Sequence, residues 1–488
     1  MSGSFYNVRK VDTHVHLAAA MNQKHLLRFI KAKLRETPDD VVSTSAAGAP
    51  MTLAQVFDEI HMTAHDLSID ALGMTADADT FARFDKFNLK YNPLGQSQLR
   101  NIFLKTDNEI GGRYFAELTR ELFDDLAFSK YQKAEYRVSV YGRNPKEWDK
   151  LADWVVDHQL YSPHNRWCIQ VPRLYGMYHA KGMVSSFAEF LDNLFVPLFE
   201  VSVDPHSHPK LHLMLQQVVA FDSVDDESKP EAAIPTLDAP APPPESWTSG
   251  NPHYSTYLYY LYANLFTLNQ LRRARGFSTF CLRPHAGESG ELNPLHATFL
   301  CARGINHGIN LRRAPALEYL YYICQVGLAL SPLSNNALFL RLTKNPFYEF
   351  FATGLNVSLS TDDPLMFHHT KEPLMEEYCV AKQVTACHPF APSACSHPRR
   401  VCLCAGRSGP SRRSISPRSR ATPSSSPPSS HAARLSGLVP DTAPPAPLAT
   451  ARRRSSSAVW LTPPLMLGLR ARWDGLQLDV IWTVHLPL

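Results

Sequence analysis

Residues 357–364 read Val-Ser-Leu-Ser-Thr-Asp-Asp-Pro, an apolar run that passes directly into two carboxylates and a proline. Similar short runs, rich in Val and Ile, recur between longer stretches with helical spacing, such as 111–128 and 258–275. This alternation is typical of repeated strand–helix units around a parallel sheet. The predicted strands span residues 8–14, 138–141, 167–171, 218–221, 279–282, 304–306, 328–331 and 357–360.

Eight such units predict an α/β fold, a (β/α)8 TIM barrel, in which functional side chains lie at the carboxyl ends of the strands. We assign residues 1–384 to this barrel, with a long surface loop at 225–251 where the sequence is acidic and then Pro-rich. Residues 385–488 are dominated by Arg, Ser, Pro and Ala and have too little apolar periodicity to specify a packed unit. That segment is predicted to be a disordered tail.

The composition limits the classes of protein to consider. Hydrophobic residues make up 44% of the 488 residues, enough for a sizeable core. No uninterrupted apolar run reaches about 18 residues, which predicts a soluble protein without a membrane span. The nine cysteines follow no disulfide spacing, which favours the reducing cytosol. The tail arginines are interleaved with Pro and Ser, a pattern that argues against nucleic-acid binding.

Two histidines close the first predicted strand, in His14-Val15-His16. Because side chains alternate along a strand, both imidazoles face the same side and can approach one ion. The pair alone is weak evidence, since His206-Ser207-His208 repeats the spacing beside prolines in a predicted loop.

Polar residues also follow the later predicted strands, where a barrel interior would not otherwise hold them. Helix caps and turns explain residues such as Thr361. They do not explain four residues of ligand type together, which are His14, His16, His285 and Asp362. Three imidazoles and one carboxylate suit one catalytic zinc ion per subunit, whose bound water has its pKa lowered from 15.7 to about 7. The sequence therefore predicts a hydrolytic attack on carbon by zinc-activated water.

The motifs H-x-H, H-A-G-E, H-G and S-L-S-T-D-D-P occur in this order and resemble those of the adenosine and AMP deaminase family. The match is closest to the AMP deaminases and covers about residues 5–384. The stretches that carry it are 7–29 (NVRKVDTHVHLAAAMNQKHLLRF), 84–99 (FDKFNLKYNPLGQSQL), 221–231 (FDSVDDESKPE) and 358–378.

The resemblance implies a role for each residue of the predicted site. The implied zinc ligands are His14, His16, His285 and Asp362. Glu288 would protonate the purine nitrogen N1 while hydroxide adds to C6, and His307 would accept a proton from the zinc-bound water. Asp363 would orient that water or the departing amine. The substrate would be AMP, and the products IMP and ammonia.

Substrate recognition is also implied by the resemblance. Lys86 and Lys90 would meet the phosphate through charge-assisted hydrogen bonds. The implied substrate contacts are His16, Lys86, Phe87, Asn88, Leu89, Lys90, Tyr91, Glu288, Asp363, Pro364, Leu365 and Met366. The family further implies a homo-oligomer, namely a tetramer.

The sequence departs from the family pattern at both ends and at two internal positions. It begins almost at the first strand, Met366 stands where the family has Gln, and His369 stands at a usually aromatic position. Nothing similar to the family follows Thr385, which predicts an incompletely covered eighth strand and a weakened enzyme.

Other functions remain open on the sequence alone. They are an adenosine deaminase or another amidohydrolase, and a catalytically silent isoform that binds partner subunits or nucleotide. The cytidine-deaminase class fits poorly, because it needs a C-x-x-C motif that the sequence lacks.

Overall fold

The structure, a computed structural model, describes residues 9–69, 72, 83–229, 231, 236, 238, 240–248 and 250–387. The strands are β1 Lys10–His16, β2 Val41–Thr44, β3 Pro50–Thr52, β4 Gln132–Ser139, β5 Asn165–Pro172, β6 Val218–Val224, β7 Cys281–Leu282, β8 His285–Ala286, β9 Gly304–His307, β10 Gly327–Leu330 and β11 Val357–Leu359.

The α-helices lie mainly between these strands. They are α1 Gln23–Glu36, α2 Leu53–Glu59, α3 Arg83–Lys90, α4 Ser97–Phe103, α5 Arg113–Ser129, α6 Lys146–Asp157, α7 Tyr175–Ala180, α8 Phe187–Val203, α9 Pro209–Leu215, α10 Tyr254–Ala274, α11 Asn293–Cys301, α12 Pro315–Cys324, α13 Pro332–Leu338, α14 Phe347–Thr353, α15 Pro364–Phe367 and α16 Pro373–Cys387. None of the described helices is long and apolar enough to cross a membrane.

The parallel strands form a closed ring. One sheet has the order β1-β4-β5-β6-β7 and the other the order β8-β9-β10-β11. β7 and β8 are two parts of one strand, interrupted at Pro284, which cannot donate to the ladder. The ring closes where Asp362 N donates to His14 O at 2.8 Å and His16 N donates to Asp362 O at 2.9 Å. These pairings confirm the predicted eight-stranded α/β barrel.

All eight predicted strands are present, with shifted bounds. β1 ends at His16, so both histidines of the first motif belong to the strand, and Val8 lies outside the described residues. β4 begins at Gln132, well before the predicted start at Val138, because its first residues already pair with β1, from Lys10 opposite Gln132, and with β5, from Asn165 opposite Ala134. The antiparallel β2–β3 pair was not predicted and is separate from the barrel sheet.

The eighth barrel strand is better covered than the sequence led us to expect. Val357 and Leu359 of β11 are 8% and 2% exposed, and they belong to one buried cluster with Phe350 of α14 and Ala381 of α16. The expectation of an uncovered strand is therefore wrong within the described residues. α16 continues to Cys387, past the predicted boundary at 384, and residues 388–488 of the predicted tail lie outside the described residues.

Candidate active site

Two histidines from β1 meet a carboxylate from the end of β11. His14 and His16 point their Nε2 atoms towards each other at 3.4 Å, and each Nε2 lies 3.2 Å from Oδ1 of Asp362. Asp362 has a φ of 61°, a conformation that a non-glycine residue seldom adopts and that the surrounding packing must hold. Its second oxygen, Oδ2, accepts a hydrogen bond from Ser334 Oγ at 2.7 Å. The carboxylate is thus fixed with one oxygen facing both imidazoles.

His285 of β8 completes the predicted set of ligands. Its ring centroid lies 4.6 Å from that of His14 and 5.5 Å from that of His16. Two groups of buried residues that share Asp362 could each bind a metal ion. Within each group, the possible ligand atoms lie within 4.8 Å of one another. The groups are His14, His285, His307 and Asp362, and His16, Asp362 and Asp363. The structure therefore brings all four predicted ligands together, with His307 and Asp363 beside them.

The other ring nitrogens of two ligands are held from outside the cluster. Gln170 Oε1 lies 2.8 Å from His16 Nδ1, and Asp222 Oδ1 lies 2.9 Å from His285 Nδ1. Metal-binding imidazoles commonly donate their second N–H to such an oxygen, which fixes the tautomer and leaves Nε2 available. This is the environment expected of histidines that bind a metal.

The electrostatics favour neutral imidazole at His14. Burial and then the nearby Arg137 lower the pKa of His14 well below its ordinary value, so the ring is neutral, as a ligand must be. The residues present thus fit a metal ion. The Nε2 atoms of His14 and His16 converge on Oδ1 of Asp362, and the His14 ring carries no positive charge. This cluster is therefore a candidate metal site, called the metal site below.

A buried ion pair supports the cluster from below. Arg137 of β4 donates from Nε to Asp222 Oδ2 at 2.6 Å, from Nη1 to Thr13 O at 3.0 Å and from Nη2 to Asn306 Oδ1 at 2.9 Å. Both charged side chains are fully buried. Burial alone would raise the pKa of Asp222, but His285 and Arg137 outweigh it and hold that pKa well below its ordinary range. Asp222 is therefore a carboxylate able to orient His285.

Glu288 lies in the turn that follows β8. Its Oε1 is 3.4 Å from Asn335 Nδ2 and 3.4 Å from His307 Nδ1. Burial, and then the negative charges of Asp362, Glu227 and Asp363, raise the pKa of Glu288 well above its ordinary value. The shift favours the protonated form of the side chain, which is the form that can donate a proton.

His307 presents a neutral imidazole on the same side of the barrel. Burial lowers its pKa to about 3. Among the described residues, no hydrogen-bond partner meets its Nε2, which lies 3.9 Å from Asp362 Oδ2. Like Asp362, His307 has a positive φ, of 67°. This buried, neutral nitrogen next to the metal site therefore offers a lone pair that can accept a hydrogen bond.

Asp363 connects the metal site to the end of α3. Tyr91, just after this helix, donates its hydroxyl hydrogen to Asp363 Oδ1 at 2.7 Å. Burial raises the pKa of Asp363 to about 7. The charge of Asp362 adds to this rise, whereas His16 and the hydrogen bond from Tyr91 oppose it. This carboxyl group can therefore exchange a proton near neutral pH.

The segment 86–91 is only partly directed at the metal site. Phe87 is buried and stacks on Phe367 with ring centroids 5.4 Å apart, and Tyr91 reaches Asp363. Lys86, Asn88 and Leu89 are exposed, the last at 64%, so their predicted substrate contacts stay predictions. Lys90 is half-buried, and the remaining predicted contacts, Pro364, Leu365 and Met366, are buried in α15.

Several polar residues of the site were not singled out from the sequence. They are Arg137, Gln170, Asp222, Glu227, Ser334 and Asn335. Gln170 and Asp222 interrupt otherwise apolar strands, and that interruption is the signal that could have found them.

The sequence comparisons with known proteins agree on one family. The AMP deaminase family model matches residues 2–408. An AMP deaminase of Schizosaccharomyces pombe is 60% identical over 381 residues, which are 78% of this chain and 45% of the relative. AMP deaminase 3 of Mus musculus is 54% identical over 381 residues, 78% of this chain and 49% of the relative. The chain spans about half the length of the curated relatives it matches.

Solved structures align at low identity. An adenine deaminase from Arthrobacter aurescens has a TM-score of 0.40 at 16% identity, covering 77% of this chain and 88% of that chain. The N6-methyl-AMP deaminase from Arabidopsis thaliana has a TM-score of 0.44 at 12% identity, covering 78% of this chain and 90% of that chain.

Proposed function

The chain belongs to the AMP deaminase family, and from this premise we propose that it hydrolyses AMP to IMP and ammonia. One observation carries the proposal beyond family membership. A protonated Glu288, a neutral His307 and the carboxyl group of Asp363 all border the same buried metal site. Hydrolytic removal of an amine needs a proton donor, a proton acceptor and activated water in one place.

We propose zinc as the metal, held by His14, His16, His285 and Asp362. Three imidazole nitrogens and one carboxylate oxygen form a donor set that zinc prefers over magnesium or calcium, which take mostly oxygen. When bound there, zinc supplies the activation of water for attack on carbon, by lowering its pKa to about 7.

The chain's own residues move the protons and orient the reactants. Glu288 gives its proton to the ring nitrogen N1 of the purine, which makes C6 electron-poor while the water oxygen adds to it. His307 accepts the proton that this water loses, at Nε2. Asp363 orients the water and then the departing amine. The amine takes up the proton that His307 accepted and leaves as ammonia when the C6–N bond breaks, while the oxygen on C6 gives its remaining proton back to Glu288 and becomes the carbonyl of IMP.

The test of the function compares two substrates that differ by one phosphate. The purified, zinc-loaded chain is expected to release ammonia from AMP and to release it at least about tenfold more slowly from adenosine, at equal low concentrations. His307→Gln is the control, because it should retain the fold and lose most of the release. Equal rates on AMP and adenosine would favour an adenosine deaminase, and no release from either would favour the silent isoform.

Phosphate recognition is the expected source of the preference for AMP, and Lys86 and Lys90 near the end of α3 are proposed to provide it. Replacing both by Ala should raise KM for AMP by about 10- to 100-fold, since a charge-assisted hydrogen bond contributes roughly 1.5–3 kcal/mol. The rate on adenosine should change little. Steady-state kinetics on both substrates measure the effect.

A matched control for the lysines is Lys150→Ala, which removes an exposed lysine of α6 that pairs with Asp107 at 2.9 Å. It should leave both substrates unaffected. Equal losses on AMP and adenosine in the double variant would mean that Lys86 and Lys90 support the fold and do not bind phosphate.

We also propose a cytosolic homo-oligomer, a tetramer by family resemblance. Cys168, Cys281, Cys301, Cys324 and Cys379 are free thiols in the described part of the chain, which is compatible with a reducing compartment.

A further inference from the structure

The turn that carries Glu288 is tightly bent and depends on glycine. It follows β8, and Gly287 and Gly290 have φ values of 72° and 62°. A Cβ atom on Gly287 would meet the side chain of Leu295 at 2.6 Å. Glycine can adopt the backbone conformation of this bend, but glycine does not by itself select it. Contacts from outside the turn are needed to stabilise the bend.

Such a contact comes from Glu227, in the loop after β6. Its Oε2 accepts hydrogen bonds from the backbone N–H of Glu288 at 2.9 Å and of Ser289 at 3.2 Å. Its other oxygen, Oε1, is enclosed, and within the described part of the chain nothing hydrogen-bonds to it. One carboxyl oxygen therefore fixes two consecutive amides, the first of which belongs to the predicted proton donor.

The backbone of the same loop also lies directly against the turn. A Cβ atom on Gly290 would come within 2.0 Å of Glu227 O, a distance that no side chain tolerates. Glycine at 290 is therefore required for the loop to approach this closely. This backbone contact does not involve the Glu227 side chain. It is a second, independent observation that the loop after β6 packs against the turn after β8.

The loop is in turn fastened to the barrel. Arg173, next to the end of β5, donates to Asp225, to Glu231 Oε1 at 2.7 Å and to the backbone of Pro252. Glu231 Oε2 accepts from Tyr254 N at 3.1 Å, and Tyr254 donates its hydroxyl to the carbonyl of His285 at 2.8 Å. The loop is thus anchored on both sides of Glu227, and one anchor returns to the strand that precedes the turn.

We propose that Glu227 is a positioning residue for Glu288, because its carboxylate holds the two backbone amides that set the direction of the Glu288 side chain. The proposal rests on the proposed function, in which Glu288 donates a proton to the substrate. A displacement of about 1 Å at a reacting group can cost about 10²-fold in rate, so a contact of this kind has a large effect without touching substrate.

The experiment compares two variants, in order to distinguish the effect of losing the acceptor oxygen of Glu227 from the effect of losing its ionisable group. Glu227→Ala removes the acceptor and should lower kcat on AMP by about 10²-fold, with KM and zinc content unchanged. Glu227→Gln retains a side-chain oxygen that can accept from both amides and should restore most of kcat. Asp226→Asn is the matched control from the same loop, since its carboxylate bonds to Ser228 and Lys229, and it should leave kcat unchanged.

A second measurement does not depend on turnover. Hydrogen exchange at the amides of Glu288 and Ser289 should become faster in Glu227→Ala and stay close to parental in Glu227→Gln. If the parent chain does not deaminate AMP, the proposed function fails, but this exchange still decides whether Glu227 holds the turn. If Glu227→Ala does not fold, Glu227→Asp takes its place, because its shorter side chain withdraws the acceptor.

Three results would overturn the proposal. The first is unchanged exchange at both amides in Glu227→Ala or Glu227→Asp. The second is a kcat within about threefold of the parent in those variants. The third is a loss of kcat that parallels a loss of zinc, or that is as large in Glu227→Gln, since neither fits a role of the acceptor oxygen.

Discussion

Replacing His285 by Ala is expected to weaken zinc binding by about 10²-fold or more and to remove turnover, and Asp362→Ala should do the same. Each variant takes away one of four donors, and loss of outer contacts alone costs 10- to 100-fold in metal affinity. Asp362 has a second effect, because its oxygen is the one that both His14 and His16 face at 3.2 Å. The Asp362→Ala substitution therefore removes the oxygen that the Nε2 atoms of both imidazoles contact.

Zinc content after dialysis, measured by atomic emission against protein concentration, tests this expectation. The matched control is His208→Ala, from the other H-x-H sequence. His208 lies before α9 and its Nδ1 is 2.7 Å from Asp149 Oδ1, in a surface contact far along the chain from the site. That variant should keep parental zinc. Parental stoichiometry and affinity in both His285→Ala and Asp362→Ala would disprove the assigned ligands.

The sequence predicted the strands, and the meeting of His14, His16, His285 and Asp362, because both follow from local sequence. His14 and His16 lie two apart on one strand, so their common direction follows from strand geometry. Asp362 directly follows an apolar run, and the barrel places all such strand ends at one rim. No knowledge of distant contacts was needed to expect that these residues meet.

The supporting residues could not be predicted in the same way, because their partners are far away in the sequence. Arg137 is buried only because Asp222 and Asn306, on other strands, accept its hydrogen bonds. Read alone, an arginine in a polar stretch indicates the surface, and this is why the start of β4 was placed too late. A buried charge is stable only with its partner, and the partner comes close only in the folded tertiary structure.

The substrate segment marks a further limit of the sequence. The family resemblance implies substrate contacts along all of residues 86–91, yet residues 86–90 are the last residues of α3, so neighbouring side chains point in different directions. Phe87 and Tyr91, four residues apart, face the barrel, whereas Leu89 faces solvent. The helical spacing of Phe87 and Tyr91 in the sequence is the signal that distinguishes these two side chains from Leu89.

Glu288→Gln is expected to bind zinc and AMP like the parent chain but to lose about 10²- to 10⁴-fold in kcat. Glutamine has nearly the same shape, so Asn335 and the turn should keep their places, but its amide cannot give a proton to N1. Because burial and nearby carboxylates raise the pKa of Glu288 well above its ordinary value, the acid form persists into neutral pH. Parental kcat should therefore fall as the pH rises through that pKa, and the residual activity of the variant should lack this fall.

Single-turnover and steady-state rates of ammonia release across pH, together with zinc content, measure both parts of this expectation. The matched control is Glu291→Gln, an exposed glutamate three positions further on, whose Oε2 accepts from Asn293 Nδ2 at 3.0 Å. It should preserve both the rate and the pH profile. Near-parental kcat in Glu288→Gln would exclude Glu288 as the proton donor. A lost rate with an unchanged alkaline fall would assign that fall to another group, of which Asp363, with its pKa raised to about 7, is the nearest.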